Sequence, residues 1–352
     1  MKILVVSAVA LVGATIVTGA GYRVWRHHEI EHAVAIEPAT GIDEVRFVRV
    51  GDIDQWISIR GRNRANPVLL VLHGGPGIAL SVMPRDFLWT WTSDFTIVQW
   101  DQRGAGQTLG RAGPVGEDVT IDRMTADGIE LAEYLQQHLE KKKIVVLGVS
   151  WGSMLGVHMV KARPDLFYAY VGSGQAVNQG LFKSIAYRQL LAEARRRNDR
   201  TAIAQLEGIG PPPYDSVAKA SIHTKWANAY EAGQPSARQL ASIVLFDSEA
   251  GVRDLRNYVR GIVTSQDHFR DAVEHEDLRS LGNRFDLPFF VFQGAEDNVT
   301  PVKPVREYFD SIAAPRKGMI VIPGGGHNVA TTRSADFLAL LDRYVRPLAL
   351  DQ

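Results

Sequence analysis

The segment IVVLGVSWGSMLG, residues 144–156, combines a β-branched apolar run, a serine between two glycines, and a tail of small and apolar residues. A buried strand that turns sharply into a helix has this composition, and Gly-x-Ser-x-Gly at 148–152 is typical of a turn that exposes a nucleophilic serine. The alternative is a serine in an ordinary glycine-rich bend, since so short a pattern also occurs by chance. Motifs elsewhere in the chain are needed to distinguish these two interpretations.

The strand pattern predicts an α/β fold with an eight-stranded, mostly parallel sheet covered by helices on both faces. Two short alternating strands form a hairpin about Gly51-Asp52, and six apolar runs then alternate with helical patterns such as Thr125–Leu139 and Ser334–Tyr344. Continuous apolar runs are typical of strands that are buried on both faces. The predicted strands are Val45–Val50, Gln55–Ile59, Val68–Leu72, Thr96–Trp100, Ile144–Leu147, Tyr168–Val171, Phe289–Phe292 and Met319–Ile322.

The long interval between the sixth and seventh strands predicts an inserted unit. Residues 181–281 show no strand pattern, are rich in helix formers and are too many for a loop in a compact domain. We therefore predict a helical cap over the carboxyl edge of the sheet, where open α/β sheets bind ligands. Residues 42–180 and 282–352 are predicted to form the catalytic domain.

The N-terminus begins with an uncharged run from Ile3 to Ala20. Such a run is typical of a signal peptide or of a short membrane anchor, so residues 1–21 are predicted to be one of these and residues 22–41 a tether. Arg23 and Trp25 follow the run, as interfacial anchors do. The sequence thus predicts membrane attachment through residues 3–20 or export, with the catalytic domain outside the cytoplasm.

Composition excludes several classes of function. The 352-residue chain has 39 Lys and Arg against 39 Asp and Glu, so it carries no basic footprint for nucleic acid. It has no cysteine, which excludes disulfides, thiol catalysis and cysteine metal sites. No His-Glu-x-x-His pair is present, and we predict neither a metal nor a cofactor.

The loops after the last two predicted strands supply partners for Ser150. A serine nucleophile needs a base that is oriented by a carboxylate, and both are expected to follow it in the chain, with the acid first. The loop GAEDNVTP at 294–301 contains Asp297, with Glu296 as the alternative acid, and the loop GGGHN at 324–328 contains His327. Because each loop follows a strand, the three side chains can meet at one edge of the sheet.

Two upstream loops also follow predicted strands. Acyl transfer needs backbone N–H donors for the developing oxyanion, and the loop HGGPG at 73–77 can supply one from Gly75, with the Trp151 N–H as the other. His73 is expected to hold this loop rather than act as a base. In the loop DQRG at 101–104, Asp101 and Arg103 are expected to order the backbone rather than take part in catalysis.

Taken together, these motifs resemble the proline-iminopeptidase-like branch of the α/β-hydrolases over residues 45–352. The likeness rests on HGGPG, on DQRGAGQT at 101–108, on GVSWGS at 148–153 and on the acid and histidine loops. It implies an α/β-hydrolase fold with an inserted cap that controls specificity. It also implies a serine hydrolase with the triad Ser150, Asp297 and His327 and no cofactor.

The cap departs from that family. Its members carry cap glutamates that bind the free α-amino group of the substrate, in stretches like W-E and R-I-E-N. Here Trp226–Glu231 only loosely echoes the first, and VRDLRNYVRG at 252–261 has arginines in place of the second. Two activities stay open: hydrolysis of a short peptide or aminoacyl amide, and an esterase, lactonase or amidase acting on a small acyl substrate. A catalytically silent binding protein at a membrane is disfavoured because the triad is intact.

Overall fold

The computed structural model describes residues 2–231, 237–247 and 249–350 and places eight strands in one sheet, in the order β1-β2-β4-β3-β5-β6-β7-β8. β2 is antiparallel to β1 and to β4, and the other neighbours are parallel. The strands are β1 Ile42–Val50, β2 Ile53–Gly61, β3 Val68–Leu72, β4 Thr96–Trp100, β5 Ile144–Val149, β6 Phe167–Ser173, β7 Phe289–Gly294 and β8 Lys317–Ile322. Each overlaps a strand predicted from the sequence, so the α/β prediction is confirmed.

Helices cover the sheet and fill the interval between β6 and β7. The α-helices are α1 Lys2–Ala33, α2 Gly106–Ala112, α3 Ile121–His138, α4 Trp151–Ala162, α5 Gln179–Arg196, α6 Arg200–Ile209, α7 Val217–Ala229, α8 Ala237–Ser242, α9 Val252–His268, α10 Arg270–His275, α11 Val302–Ser311, α12 Val329–Thr332, α13 Ser334–Tyr344 and α14 Arg346–Leu350. Three 3₁₀ turns span Trp89–Ser93, Pro164–Leu166 and Leu278–Leu281, and a π-helical segment spans Ile243–Asp247.

Two hydrophobic clusters lie on opposite faces of the sheet. Consecutive residues of β3 illustrate this arrangement, because Leu70 packs in the cluster that contains α3 and α4, whereas Leu69 packs in the cluster that contains α13. Side chains alternate between the two faces of a strand, so a strand that is covered on both sides has to be apolar at every position. This explains the apolar runs of β3 and β5.

The helices between β6 and β7 approach the carboxyl edge of the sheet through α9. The Ser265 hydroxyl of α9 donates to the Gly104 carbonyl at 3.1 Å, and a Cβ on Gly77 would lie 2.3 Å from the Gly261 carbonyl oxygen. Gly77 has φ = 90°, so both its conformation and the close approach of α9 require glycine. α9 therefore lies directly on the loops that follow β3 and β4.

The first part of the predicted tether is helical. Residues 22–33 belong to α1 and contact the π-helical segment: Arg26 forms an ion pair with Asp247 at 2.9 Å, and Tyr22 packs edge-on against Phe246. Within the described part of the chain, no helix is both long and apolar enough to cross a membrane. The side chains of residues 2–17, which make up most of the predicted anchor, lie outside the described residues.

Candidate active site

Ser150 occupies a strained turn between β5 and α4. Its backbone has φ = 54° and ψ = −119°, a conformation that is costly for a residue with a Cβ and typical of a nucleophile elbow. A Cβ on Gly152 would lie 2.1 Å from the Leu72 carbonyl oxygen, and one on Gly148 would lie 2.3 Å from the Gly152 carbonyl oxygen. The two flanking glycines are thus required by close backbone packing, which favours the elbow over an ordinary bend.

The histidine and acid loops bring their side chains together. Asp297 accepts from His327 Nδ1 at 3.0 Å through Oδ2, with Oδ1 at 3.2 Å, and the Asp297 side chain is fully buried. Burial lowers the pKa of His327, but the charge and hydrogen bond of Asp297, together with the charge of Glu231, outweigh burial and raise that pKa above its ordinary value. The pair therefore forms an oriented base.

Asp297 is held by donors that the sequence did not identify. Its Oδ2 accepts from Gln293 Nε2 at 2.7 Å and from the Thr300 hydroxyl at 2.6 Å, while Oδ1 accepts the Val299 and Thr300 amides at 2.8 and 2.7 Å. A signal existed for Gln293, which is the one polar residue in the otherwise apolar run FFVFQ of β7. These four donors fix the position of the carboxylate beside His327.

Ser150 and His327 both lie against the backbone of residues 173–174. The Ser150 amide donates to the Ser173 carbonyl at 2.9 Å, and a Cβ on Gly174 would lie 2.8 Å from His327 Cε1. Among the described residues, no hydrogen bond joins Ser150 Oγ to His327 Nε2. Such bonds are often long without substrate and tighten in the reacting complex. The structure thus brings the acid and the base into contact and places the serine beside them.

The two predicted oxyanion donors lie next to Ser150. Trp151 is the first residue of α4, where amides have no partner within the helix, and Gly75 adopts φ = 122° in the loop after β3. A Cβ on the adjacent Gly74 would lie 3.3 Å from Ser150 Cβ, so this loop borders the serine. Neither amide donates to another described residue. Their role as oxyanion donors remains a prediction.

The chain can now be compared with known proteins. The sequence profile described as alpha/beta hydrolase fold matches residues 67–333. The chain belongs to this family. It is 28% identical over 308 residues to the probable aminopeptidase YbaC of Bacillus subtilis, which covers 86% of this chain and 96% of the relative. The predicted likeness to proline iminopeptidases is confirmed, and the protein is a hydrolase.

Solved structures of other α/β-hydrolases share the fold. The proline iminopeptidase of Mycobacterium smegmatis superposes with a TM-score of 0.62 at 19% identity, over 88% of this chain and 99% of the other. The esterase RhEst1 of a Rhodococcus species superposes with a TM-score of 0.55 at 16% identity, over 88% and 99%. Peptidases and esterases thus share this architecture, which leaves the substrate to be decided by the site itself.

In this hydrolase His73 holds the loop at residues 73–77, as the sequence predicted. Because the Gln102 amide donates to His73 Nε2 at 3.2 Å, the ring proton lies on Nδ1, which donates to the Gly74 carbonyl at 2.8 Å. Burial lowers the pKa of His73 to about 4, so the ring is neutral. Asp101 likewise orders backbone, since it accepts the amides of Leu80, Ser81 and Gln107.

Arg103 also has a structural position. Its guanidinium pairs with the buried Asp127 at 2.9 Å and donates to the Gly51 carbonyl at 2.7 Å. These contacts connect the loop after β4 to α3 and to the hairpin. As expected from the sequence, neither Asp101 nor Arg103 contacts the triad in these hydrogen bonds.

Gln102 links the oxyanion loop to the nucleophile elbow, a role that the sequence did not reveal. Its Nε2 donates to the His73 carbonyl at 3.3 Å, and its Oε1 accepts from the Trp151 indole at 2.9 Å. Gln102 and Trp151 are both almost fully buried. One side chain therefore bonds to both of the segments that carry the predicted oxyanion donors.

We expect Gln102→Leu to lower both stability and activity. The buried indole N–H of Trp151 would lose its acceptor, which costs about 1–3 kcal/mol of unfolding free energy. The loops that carry Gly75 and Trp151 would also shift, and displacement of catalytic groups by about 1 Å can cost up to about 100-fold in rate. Urea unfolding and kcat measure the two effects.

A matched control lies among the helices between β6 and β7, where Gln205 Oε1 accepts from the Trp226 indole at the same distance, 2.9 Å. We expect Gln205→Leu to lower stability without lowering kcat by more than about twofold. Equal losses of kcat in the two variants would show that Gln102 acts through general stability and not through the site.

Glu231 places a carboxyl group against the acid and histidine loops. Its Oε1 accepts the His327 amide, and its Oε2 accepts the Asn298 amide at 3.4 Å. Burial, and then the charge of Asp297, raise the pKa of Glu231 to about 7. In the sequence this residue is only a loose echo of a family motif, because its approach to residues 298 and 327 is not visible locally.

The site offers acyl-transfer chemistry from protein groups. Within residues 2–231, 237–247 and 249–350, no group of three or more His, Asp or Glu side chains could hold a metal ion. The groups that converge are a serine on a strained turn, an oriented histidine, a buried aspartate and two unused amides. These are the parts that nucleophilic hydrolysis of an amide or ester requires.

Proposed function

We propose that this hydrolase is a serine aminopeptidase of the proline-iminopeptidase type, acting on short peptides or aminoacyl amides. The observation that carries the proposal is the position of the Glu231 carboxyl. It is buried against the acid and histidine loops, where it can bind the free ammonium of a substrate. The relative of 28% identity that is named a probable aminopeptidase supports it over 86% of the chain.

The proposed mechanism uses an acyl-enzyme. Ser150 Oγ attacks the carbonyl carbon while His327 Nε2 takes its proton, and Asp297 orients the imidazole through Nδ1–H. The Gly75 and Trp151 amides donate to the oxyanion. His327 then protonates the leaving amine as the C–N bond breaks. His327 then takes a proton from water, whose oxygen attacks the acyl carbon, and it returns that proton to Ser150 Oγ as the bond between Ser150 Oγ and the acyl carbon breaks.

Glu231 would supply the negative charge that holds the substrate ammonium. A buried ammonium needs a carboxylate partner, and the family's second cap glutamate has no counterpart in VRDLRNYVRG. Because the pKa of Glu231 is about 7, this group is largely charged above pH 7 and largely neutral below it. Binding of a free amine is therefore expected to weaken as the pH falls through about 7.

Glu231→Gln tests this proposal. We expect kcat/KM for a free aminoacyl-naphthylamide to fall about 10- to 100-fold, in line with about 1.5–3 kcal/mol for a charged hydrogen bond. The N-acetylated substrate and short acyl esters should change no more than about twofold. The wild-type rise of KM below pH 7 should disappear in the variant. An equal loss on blocked and free substrates would contradict the proposed role.

The second candidate is an esterase, lactonase or amidase on a small acyl substrate. The lack of a counterpart for the family's second cap glutamate favours it, since the nearby stretch VRDLRNYVRG has arginines instead. The same triad would serve the reaction, and the same substrate panel separates the candidates. Hydrolysis of esters with no preference for a free amine would favour the second candidate over the first.

We also propose that the protein works outside the cytoplasm, exported or membrane-attached through residues 3–20. The support is the uncharged run from Ile3 to Ala20, directly followed by Arg23 and Trp25. Cell fractionation and N-terminal sequencing of the mature protein test this. A full-length chain in the soluble cytoplasmic fraction would contradict it.

A further inference from the structure

Exposed apolar side chains concentrate in one region of the molecule. Seven of the eleven large apolar side chains that are exposed among the described residues lie on α1, the π-helical segment and α9: Tyr22, Val24, Trp25, Leu245, Val252, Val259 and Val263. The three valines are 86%, 60% and 63% exposed. Single exposed apolar residues are common on protein surfaces, but a group on neighbouring elements indicates an interaction site.

The two faces of α9 differ in what they contact. Gly261 and Ser265 are buried against the loops after β3 and β4. Residues at spacings of three, four and seven share a helix face, so the outward side presents exposed residues of two kinds. These are the valines at 252, 259 and 263 and the arginines at 253, 256 and 260. The last turn of α9 also exposes Gln266 and Asp267, and Asp267 pairs with Arg270.

The outward face of α9 is basic although the chain as a whole has no net charge. The side chains of Arg256 and Arg260 make no hydrogen bond or ion pair with another described residue. The acidic Asp254 points elsewhere, because it accepts from Gln107 and from the Gly251 amide. Valines interspersed with exposed arginines suit a partner that is both apolar and negatively charged.

The exposed end of α1 extends this surface. Arg23 donates to the carbonyls of Leu245 and Ala250, at 2.6 and 2.9 Å, just before α9 begins at Val252. Tyr22 and Trp25, about half exposed, lie on the same helix directly after the uncharged run of residues 3–20. Tyrosine, tryptophan and arginine at the end of an apolar helix are typical of the membrane interface.

We propose that the outward face of α9, together with Tyr22, Val24 and Trp25, docks on the surface of an anionic lipid bilayer. Valines and aromatic rings enter the boundary between headgroups and acyl chains, while the arginines pair with anionic headgroups. A second copy of this chain explains the valines less well, because it would bring its own arginines against these arginines. This binding lies in the interface and requires no spanning helix.

The absence of cysteine allows a direct test on the full chain. Val259→Cys and Val263→Cys, made singly, would each carry an environment-sensitive fluorophore, and Val45→Cys, at an exposed position of β1, is the matched control. With vesicles of phosphatidylcholine and phosphatidylglycerol, we expect blue-shifted, stronger emission at 259 and 263 and no change at 45. Vesicles of phosphatidylcholine alone should give a smaller response, and salt should weaken the response to anionic vesicles.

Charge reversal tests the role of the arginines. Arg256→Glu with Arg260→Glu should weaken the vesicle response of the labelled chain at least about tenfold, with circular dichroism confirming that each variant is folded. A chain that sediments with vesicles while both labels stay in water would overturn the proposal and assign binding to residues 3–20 alone. A label response without vesicles that grows with protein concentration would overturn it in favour of a second copy.

Discussion

Replacement of Ser150 by alanine is expected to reduce kcat/KM by about 10³- to 10⁶-fold while the fold remains intact. The hydroxyl is the atom that would bond to the substrate carbonyl, so no neighbouring group can replace it. Alanine has the same Cβ as serine and accepts φ = 54° at equal cost, so the elbow should persist. Steady-state rates on the substrate panel measure the loss, and thermal unfolding measures the fold.

A fluorophosphonate probe gives an independent measure of the same residue. Such probes react with a serine only when a base activates it, so the wild type should be labelled and Ser150→Ala should not. The exposed Ser280 provides a control, since Ser280→Ala should keep both labelling and rate. Labelling that survives in Ser150→Ala would place the nucleophile elsewhere. A folded wild type that is never labelled would revive a binding role without catalysis.

The sheet could be predicted from the sequence because its physical cause is local. β3 and β5 lie between two hydrophobic clusters, so every residue in them is apolar or small, and the runs are visible without knowledge of the fold. The helical state of residues 22–33 could not be predicted in this way. It accompanies contacts of Arg23 and Arg26 with residues more than 220 positions away in the chain.

The residues of the site also differ in whether the local sequence predicts them. Ser150, Asp297 and His327 each follow a strand, so the order of motifs was enough to place them at one edge of the sheet. Glu231, by contrast, reaches His327 across 96 positions from a segment with no regular motif. Gln102 was visible within DQRG, but its bond to the Trp151 indole depends on how the loops after β4 and β5 meet.

The structure also explains why the inserted helices and the catalytic loops should respond to each other. Glu231 bonds to amides of the acid and histidine loops, and Ser265 bonds to the loop after β4. Displacement of these helices would therefore alter both the charge near His327 and the support of the oxyanion loop. These few contacts connect the inserted helices to the catalytic loops.

Two adjacent carboxylates on one loop allow the acid to be assigned by experiment. Asp297 is buried and bonds to His327, whereas Glu296 is exposed. We expect Asp297→Asn to lower kcat/KM about 10⁴-fold, because an amide can hold the imidazole in the wrong tautomer and cannot stabilise its positive charge. Glu296→Gln should change the rate no more than about twofold.

The pH dependence strengthens this comparison. His327 must be neutral to accept the serine proton, so activity should rise as the pH passes above its pKa. Asp297 raises the pKa of His327 against the effect of burial. In Asp297→Asn, the rise of the residual activity with pH should therefore occur at lower pH than in the wild type. In Glu296→Gln, activity should rise over the same pH range as in the wild type. The opposite pattern, with the large loss in Glu296→Gln, would assign the acid to Glu296 and leave Asp297 as a structural residue of the loop.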